Sequence, residues 1–186
     1  QEMYEKAKKC FEKAQFIWNT IYQTEYHPSI ADCCFNLSVI FKKQNLQNKA
    51  LHEIEKSIRI RREAIGKDSI PLASAFEQYA KLLFHNKRYQ KAVQAIEEAY
   101  TIRKRVTSNS SNPDLVRVST LALYFYQTVE ELNKNQKKEE NKEKDDSYEY
   151  NEDDDYYLDK TNNQRFNNIN KLIRAKLKQD QKKEQN

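Results

Sequence analysis

Three prolines, Pro28, Pro71 and Pro113, stand 43 and 42 residues apart. Their settings are alike: Tyr26-His27-Pro28-Ser29, Ser69-Ile70-Pro71-Leu72 and Ser111-Asn112-Pro113-Asp114. A near-constant interval of this length marks stacked supersecondary units, none of which can bury its apolar face alone. Proline is tolerated in the first turn of a helix, where its missing N–H would have no partner anyway. Each proline therefore predicts a helix start.

The interval also holds between the prolines. Residues 31–61 laid over 73–103 pair Ala31 with Ala73, Ser38 with Ala80, and Lys49-Ala50 with Lys91-Ala92. They also pair Ile54-Glu55 with Ile96-Glu97 and Ile60-Arg61 with Ile102-Arg103. Each unit reads as two amphipathic helices. The first runs from Pro28 to about Lys43, with Cys34, Leu37, Ser38 and Phe41 on one face. The second runs from about Leu46 to Ile65, with Ala50, Ile54, Ser57 and Ile58. These follow the i, i+3, i+4, i+7 spacing of a one-faced helix. Small residues recur at Ser38, Ala80, Ala122, Ala50 and Ala92, and they allow the helices to approach closely. The sole glycine, Gly66, follows a second helix, where a left-handed cap is expected. A single glycine excludes phosphate loops and dinucleotide fingerprints and disfavours sheets built on glycine turns. The turns at Gln44-Asn45 and Asn86-Lys87 are expected to use polar residues in ordinary turn geometry.

Residues 3–24 continue the scheme. Ala7, Phe11, Ala14 and Ile17 read as the face of a second helix whose first helix lies upstream, so the solenoid begins mid-repeat. Residues 113–133 read as a first helix. Charge is then unevenly placed: net +5 over 1–133, −5 over 134–160 and +5 over 161–186. The chain divides into a solenoid of about three repeats over 1–135 and an acidic disordered insertion over 136–160. An amphipathic packing or capping helix follows over 161–180, marked by Phe166, Ile169, Leu172, Ile173 and Leu177, and then a tail over 181–186.

The series Ser38, Ala50, Ile54, Ser57, repeated as Ala80, Ala92, Ile96, Ala99 with Tyr89 beside it, resembles the tetratricopeptide pattern. The long interval, and the linkers Ile65-Gly66-Lys67-Asp68-Ser69-Ile70-Pro71 and His27-Pro28, resemble the longer repeats of kinesin light chains. The resemblance implies an all-α, right-handed α-solenoid of antiparallel helix pairs. It also implies a non-enzymatic protein-interaction scaffold whose first helices line a concave face. On that face it places Asp32, Phe35, Asn36, Val39 and Lys43 from one unit. From the next it places Ser74, Glu77, Gln78, Lys81 and His85, and from the third Arg117, Thr120 and Gln127. Asn36 stands where the kinesin light chain type carries a peptide-binding Asn; Gln78 and Thr120 replace it one and two units on. A pre-formed surface of this kind binds an extended segment or a helix at low ordering cost. The second reading is a building block of a ciliary or cytoskeletal assembly that docks through its helix edges. Either way the partner is a protein or peptide within a multiprotein complex, in a cytoplasmic, cytoskeletal or ciliary setting.

Nothing in the sequence points to chemistry. His27, His52 and His85 have no Cys or carboxylate at metal spacing. Cys10, Cys33 and Cys34 read as buried free thiols of a reducing compartment. No cofactor, metal or small-molecule substrate is expected. No apolar run approaches the roughly 18 residues that span a bilayer. The 33 basic and 28 acidic residues alternate without a sustained basic stripe, which argues against nucleic acid. Arg59, Arg61, Arg62, Arg103, Lys104 and Arg105 cluster late in two second helices. There they complement the helix dipole or form a basic edge for an acidic polymer. Tyr148, Tyr150, Tyr156 and Tyr157 lie among acids over 145–159; this reads as a solvated loop, or, as the resemblance to kinesin light chain repeats implies, as a tethered internal ligand of the concave face.

Overall fold

The computed structural model describes residues 2–107 and 112–145, with side chains as far as residue 135. The described residues form six helices and no strand: α1 (Glu2–Tyr22), α2 (Pro28–Lys43), α3 (Gln47–Ile65), α4 (Ile70–His85), α5 (Tyr89–Val106) and α6 (Pro113–Asp145). The fold is all-α, with α2–α3 and α4–α5 as packed helix pairs. Two compact units, Gln1–Phe125 and Tyr126–Asn186, divide within α6. In the second, α6 continues to Asp145, past the point where the sequence reads as an acidic insertion, and Lys134 pairs with Glu130 at 2.9 Å. The rest of 136–160, the helix expected over 161–180 and the tyrosine-rich acidic stretch lie outside the described residues.

The prolines open helices as their setting predicts. Pro28 and Pro113 are the first residues of α2 and α6, and Pro71 is the second of α4. Pro28 and Pro113 are each preceded by a side chain that receives a first-turn N–H, whereas Ser69 ahead of α4 makes no such bond. His27 Nδ1 accepts from the Ser29 amide at 3.2 Å, and Asn112 Oδ1 accepts from the Asp114 amide at 2.9 Å.

The turns inside each pair differ from the expectation. Asn45 and Lys87 have φ of 60° and 58°, in the left-handed region. Leu46 N–H donates to Phe41 O at 2.9 Å and Asn45 N–H to Lys42 O at 3.1 Å. Arg88 to Leu83 and Lys87 to Phe84 repeat the arrangement at 2.9 and 3.0 Å. These paired bonds close the last turn of a helix on its own carbonyls, and they require positive φ at the residue after the cap. So the chain builds glycine's usual conformation from asparagine and lysine. Gly66 does adopt positive φ, 86°, but its ψ of −177° makes it extended rather than a left-handed helical cap. That region is open essentially only to glycine.

The core repeats with the interval. Ala50, Ile54 and Ile60 are fully buried in α3, as Ala92 and Ile96 are in α5. Ser57 Oγ, also fully buried, donates to Ala31 O of α2 at 2.8 Å. Cys33 and Cys34 are buried as expected. Burial, with Glu53 nearby, pushes the Cys34 thiol up to about 12, so it is inert. Cys10 is exposed, against expectation, because no helix among the described residues covers that side of α1. The same cause leaves Ile17, expected in the packed face, 52% exposed. Trp18 does the packing instead, against the cluster of Ile30, Ala31, Cys34 and Ile60. No helix among the described residues is long and apolar enough to cross a membrane.

Candidate partner-binding site

Two buried arginines organise the face that the first helices present. Arg61 of α3 is 5% exposed. Its Nη1 donates to Pro71 O at 2.6 Å and its Nη2 to Asp32 Oδ1 at 2.7 Å. Its guanidinium also lies 5.0 Å from the Phe35 ring centroid. One side chain of the second helix thus ties its own first helix to the start of the next. Arg103 of α5 repeats this 42 residues on and is 4% exposed. It donates to Ser74 Oγ at 3.0 Å, reaches Glu77 Oε2 at 3.5 Å and lies 3.7 Å from Asp114 Oδ2. A guanidinium suits this work because its planar fork serves several acceptors at once.

Glu77 is the hub of the second cluster. It is buried, yet besides Arg103 it accepts from Lys81 at 2.6 Å and from Arg117 through both guanidinium nitrogens, Nη2 at 3.0 Å. Burial pushes its carboxyl up. Hydrogen bonds from Arg117 and Lys81, with their positive charges, outweigh that and hold it below the usual carboxylate range. The bond to Glu77 in turn raises Arg117. Nearby, burial and then the charges of Lys81 and Lys43 lower Lys42. Lys42 thus lies within electrostatic reach of Lys43 on its own helix and of Lys81 on α4, the latter paired with Glu77 at 2.6 Å. Among the described residues, no group of three or more His, Cys, Asp or Glu side chains is placed to hold a metal.

Residues 73–105, which span α4 and α5, match the tetratricopeptide repeat family model. The α4–α5 pair thus reads as a tetratricopeptide repeat, and α2–α3 echoes its spacing 42 residues earlier. Solved structures agree on the fold. BtubC (BKLC) from P. vanneervenii superposes with a TM-score of 0.64 at 19% identity, over 84% of this chain and 63% of that one. A chain from Podosopora anserina, described as a kinesin light chain with nearly identical TPR-like repeats, gives 0.61 at 16%, over 70% and 61%. A single-substitution variant of that protein gives 0.60 at 15%, with the same coverage. The chain thus spans less than two thirds of each of these solved chains. No curated protein sequence matches it.

The packed helices sort the expected binding residues into two groups. Asp32, Phe35, Ser74, Glu77 and Arg117 are brought together around Arg61 and Arg103, where they hold repeat to repeat. Asn36 folds back to Asp32 O at 2.9 Å and Thr120 to Val116 O at 3.0 Å. His85 Nδ1 meets Gln47 Nε2 at 3.4 Å. Val39 and Gln78 are half-buried on α2 and α4, Lys43 is exposed, and Gln127 is exposed in the second unit. The basic edge expected from the arginines does not form as a unit. Arg61 and Arg103 are buried, Arg59 pairs with Glu25 at 3.4 Å and Arg105 with Asp68 at 3.0 Å. Arg62 sits over the Phe76 ring. The signal that identifies the buried pair was present: Ile60-Arg61 and Ile102-Arg103 recur at the repeat interval, and a recurring charge within a recurring core position has to be paired. The clustering of Lys42 with Lys81 carried no such signal, since the two are not equivalent positions.

Proposed function

We propose that the tetratricopeptide repeats form an interaction scaffold that takes an extended, acidic partner segment along the first helices α2 and α4. The observation that supports this most is the lysine cluster. Lys42, Lys43 and Lys81 are close enough that each neighbour's charge disfavours protonation of Lys42, and Lys43 remains exposed. Lys81 is already paired with Glu77 at 2.6 Å, so the charge left for an acidic ligand to meet is that of Lys42 and Lys43. Gln78, half-buried beside Glu77, adds an amide able to donate to and accept from a partner backbone. Asp32, Ser74, Glu77 and Arg117 act indirectly in this reading, by fixing the angle between successive first helices. Membership of a multiprotein complex, and a cytoskeletal or ciliary setting, belong to the same proposal.

The test is a parallel capture of partners by the intact chain and by a Lys43→Glu, Gln78→Ala variant, with circular dichroism confirming equal folding. Partners lost only from the variant support the face. Identical partner sets overturn it in favour of docking through the helix edges.

A further inference from the structure

Acids are absent from two stretches of the chain. Residues 33–52 hold Lys42, Lys43 and Lys49 and no acid, and residues 78–96 hold Lys81, Lys87, Arg88 and Lys91 and no acid. Residues 53–77, between them, hold five charges of each sign. Each acid-free stretch contains the turn inside a helix pair. The fold sets the two turns side by side, with Gln47 Nε2 3.4 Å from His85 Nδ1. Arg61, near the end of α3, meets Asp32 and Pro71 near the starts of α2 and α4, so the linkers gather at the opposite end. The two ends therefore differ. At the linker end Arg59 pairs with Glu25, Arg61 with Asp32 and Arg105 with Asp68. At the turn end Lys49, Lys87, Arg88 and Lys91 are exposed, and among the described residues none of them makes an ion pair.

These residues work against the helices that carry them. Lys49 and Lys91 fall in the first turns of α3 and α5, and Arg88 is the N-cap of α5. The positive end of a helix dipole disfavours a cation there. A glutamate at the place of Lys49 or Lys91, after a hydroxyl N-cap, would close a capping box instead. Neither Leu46 nor Arg88 makes a side-chain cap bond. Lys49 gains only a ring contact, 5.9 Å from the Phe41 centroid. Lys87 holds its positive φ without glycine's freedom. Leu46 is 40% exposed at a position where Asn, Asp or Ser is preferred. Departures from local rules that gather at one place and share one sign point to function there. We infer that the turn end docks on an anionic membrane face. Lys42, Lys43, Lys49, Lys87, Arg88 and Lys91 supply the charge, within the range of about four to eight cations that anionic lipids recruit. Five of the six are lysines, whose compact charge on a flexible stem suits a diffuse field better than a shaped anion pocket. An exposed Leu among cations suits the boundary between headgroups and acyl chains, which favours a lipid surface over an acidic protein. Lys49, Lys87, Arg88 and Lys91 take no part in the ligand reading above, so the two stand or fall separately.

Vesicle sedimentation of the full chain is the test. Vesicles of phosphatidylcholine alone are compared with vesicles holding about one third phosphatidylserine. The expected result is binding to the anionic vesicles only, lost at high salt, where the Debye length shrinks to about 3 Å. Lys87→Gln with Arg88→Gln should weaken partitioning about 30-fold, at about fivefold for each cation removed from the surface. Lys67→Gln with Lys104→Gln removes the same charge at the linker end and should weaken it about threefold or less. Leu46→Asn should weaken it about threefold with net charge unchanged. Circular dichroism confirms that each variant folds. No binding of the folded chain to anionic vesicles overturns the inference. So does equal weakening by the two charge pairs, which would reduce the attraction to net charge. Capture of poly-glutamate that depends on Lys87 and Arg88, with Leu46→Asn leaving vesicle binding unchanged, also overturns it and makes an acidic protein the occupant.

Discussion

The pairs α2–α3 and α4–α5 share one skeleton and differ in what they attach to it. Their cores are interchangeable in kind: Ala50, Ile54 and Ile60 against Ala92, Ile96 and Ile102, each essentially buried. Both bury an arginine at the same place. Yet Arg61 finds an aspartate whose side chain is 63% exposed, a carbonyl and an aromatic ring. Arg103 finds Glu77, 7% exposed and held in turn by Lys81 and Arg117. The interval therefore dictates the scaffold, and the non-repeated residues Asp32/Ser74 and Phe35/Glu77 dictate how strongly neighbouring repeats are locked.

The sharpest way to break this comparison is to remove the two acids. Glu77→Ala leaves the buried Arg103 with Ser74 and the exposed Asp114 alone and releases both Arg117 and Lys81, and the expected loss is about 3–5 kcal/mol. Asp32→Ala removes a partner that is itself well solvated, and Pro71 O and the Phe35 ring stay on the buried Arg61, so a smaller loss of about 1–3 kcal/mol is expected. Urea denaturation of both variants measures the difference. Equal losses would mean that the Glu77 cluster is no tighter than the Asp32 pair.

Acid provides a second, smaller lever on the same contrast. The folded-state pKa of Glu77 lies below its unfolded value. The unfolded chain therefore binds more protons between the two values, and stability falls as pH falls through that window. Glu77's contribution is complete above the unfolded value of about 4.3 and is lost as pH drops through the folded one. Glu77→Gln should flatten the stability profile below about pH 5 relative to the unsubstituted chain. Parallel profiles would show that the carboxyl is not held by Arg117 and Lys81 as the geometry indicates.

Much of this architecture is legible from the residues. The prolines and the 42-residue echo locate α2 to α5 and the start of α6, because helix starts and buried small residues are local requirements that each repeat must meet again. The face of α1 is legible as a pattern but not as a contact, since the same apolar stripe reads identically whether or not a helix covers it. The binding face is harder still. Ser74, Glu77 and Arg117 stand at positions where the sequence leads one to expect a ligand, and only the buried Arg103 shows that they are engaged inside the molecule. Polar groups carry no periodic signature of their partners, because partners are fixed by distances between helices.

The smallest effect separates the two left-handed turns. An L-residue with a Cβ costs roughly 1–2 kcal/mol in that conformation, and asparagine costs least. Glycine removes the strain but adds unfolded-state freedom, which returns about 0.5–1 kcal/mol. Lys87→Gly should therefore stabilise the chain by about 0.5–1 kcal/mol, while Asn45→Gly should be close to neutral. Thermal denaturation of the two variants reads the difference directly. If Asn45→Gly stabilises as much as Lys87→Gly, asparagine gives no relief at this position, and the α2–α3 turn is as strained as its counterpart between α4 and α5. Lysine holds its turn only because the Arg88-to-Leu83 and Lys87-to-Phe84 bonds, with the α4–α5 core behind them, over-determine the backbone there. That is the same logic by which the core holds Arg61 and Arg103: the repeated packing sets the geometry, and individual residues tolerate its cost.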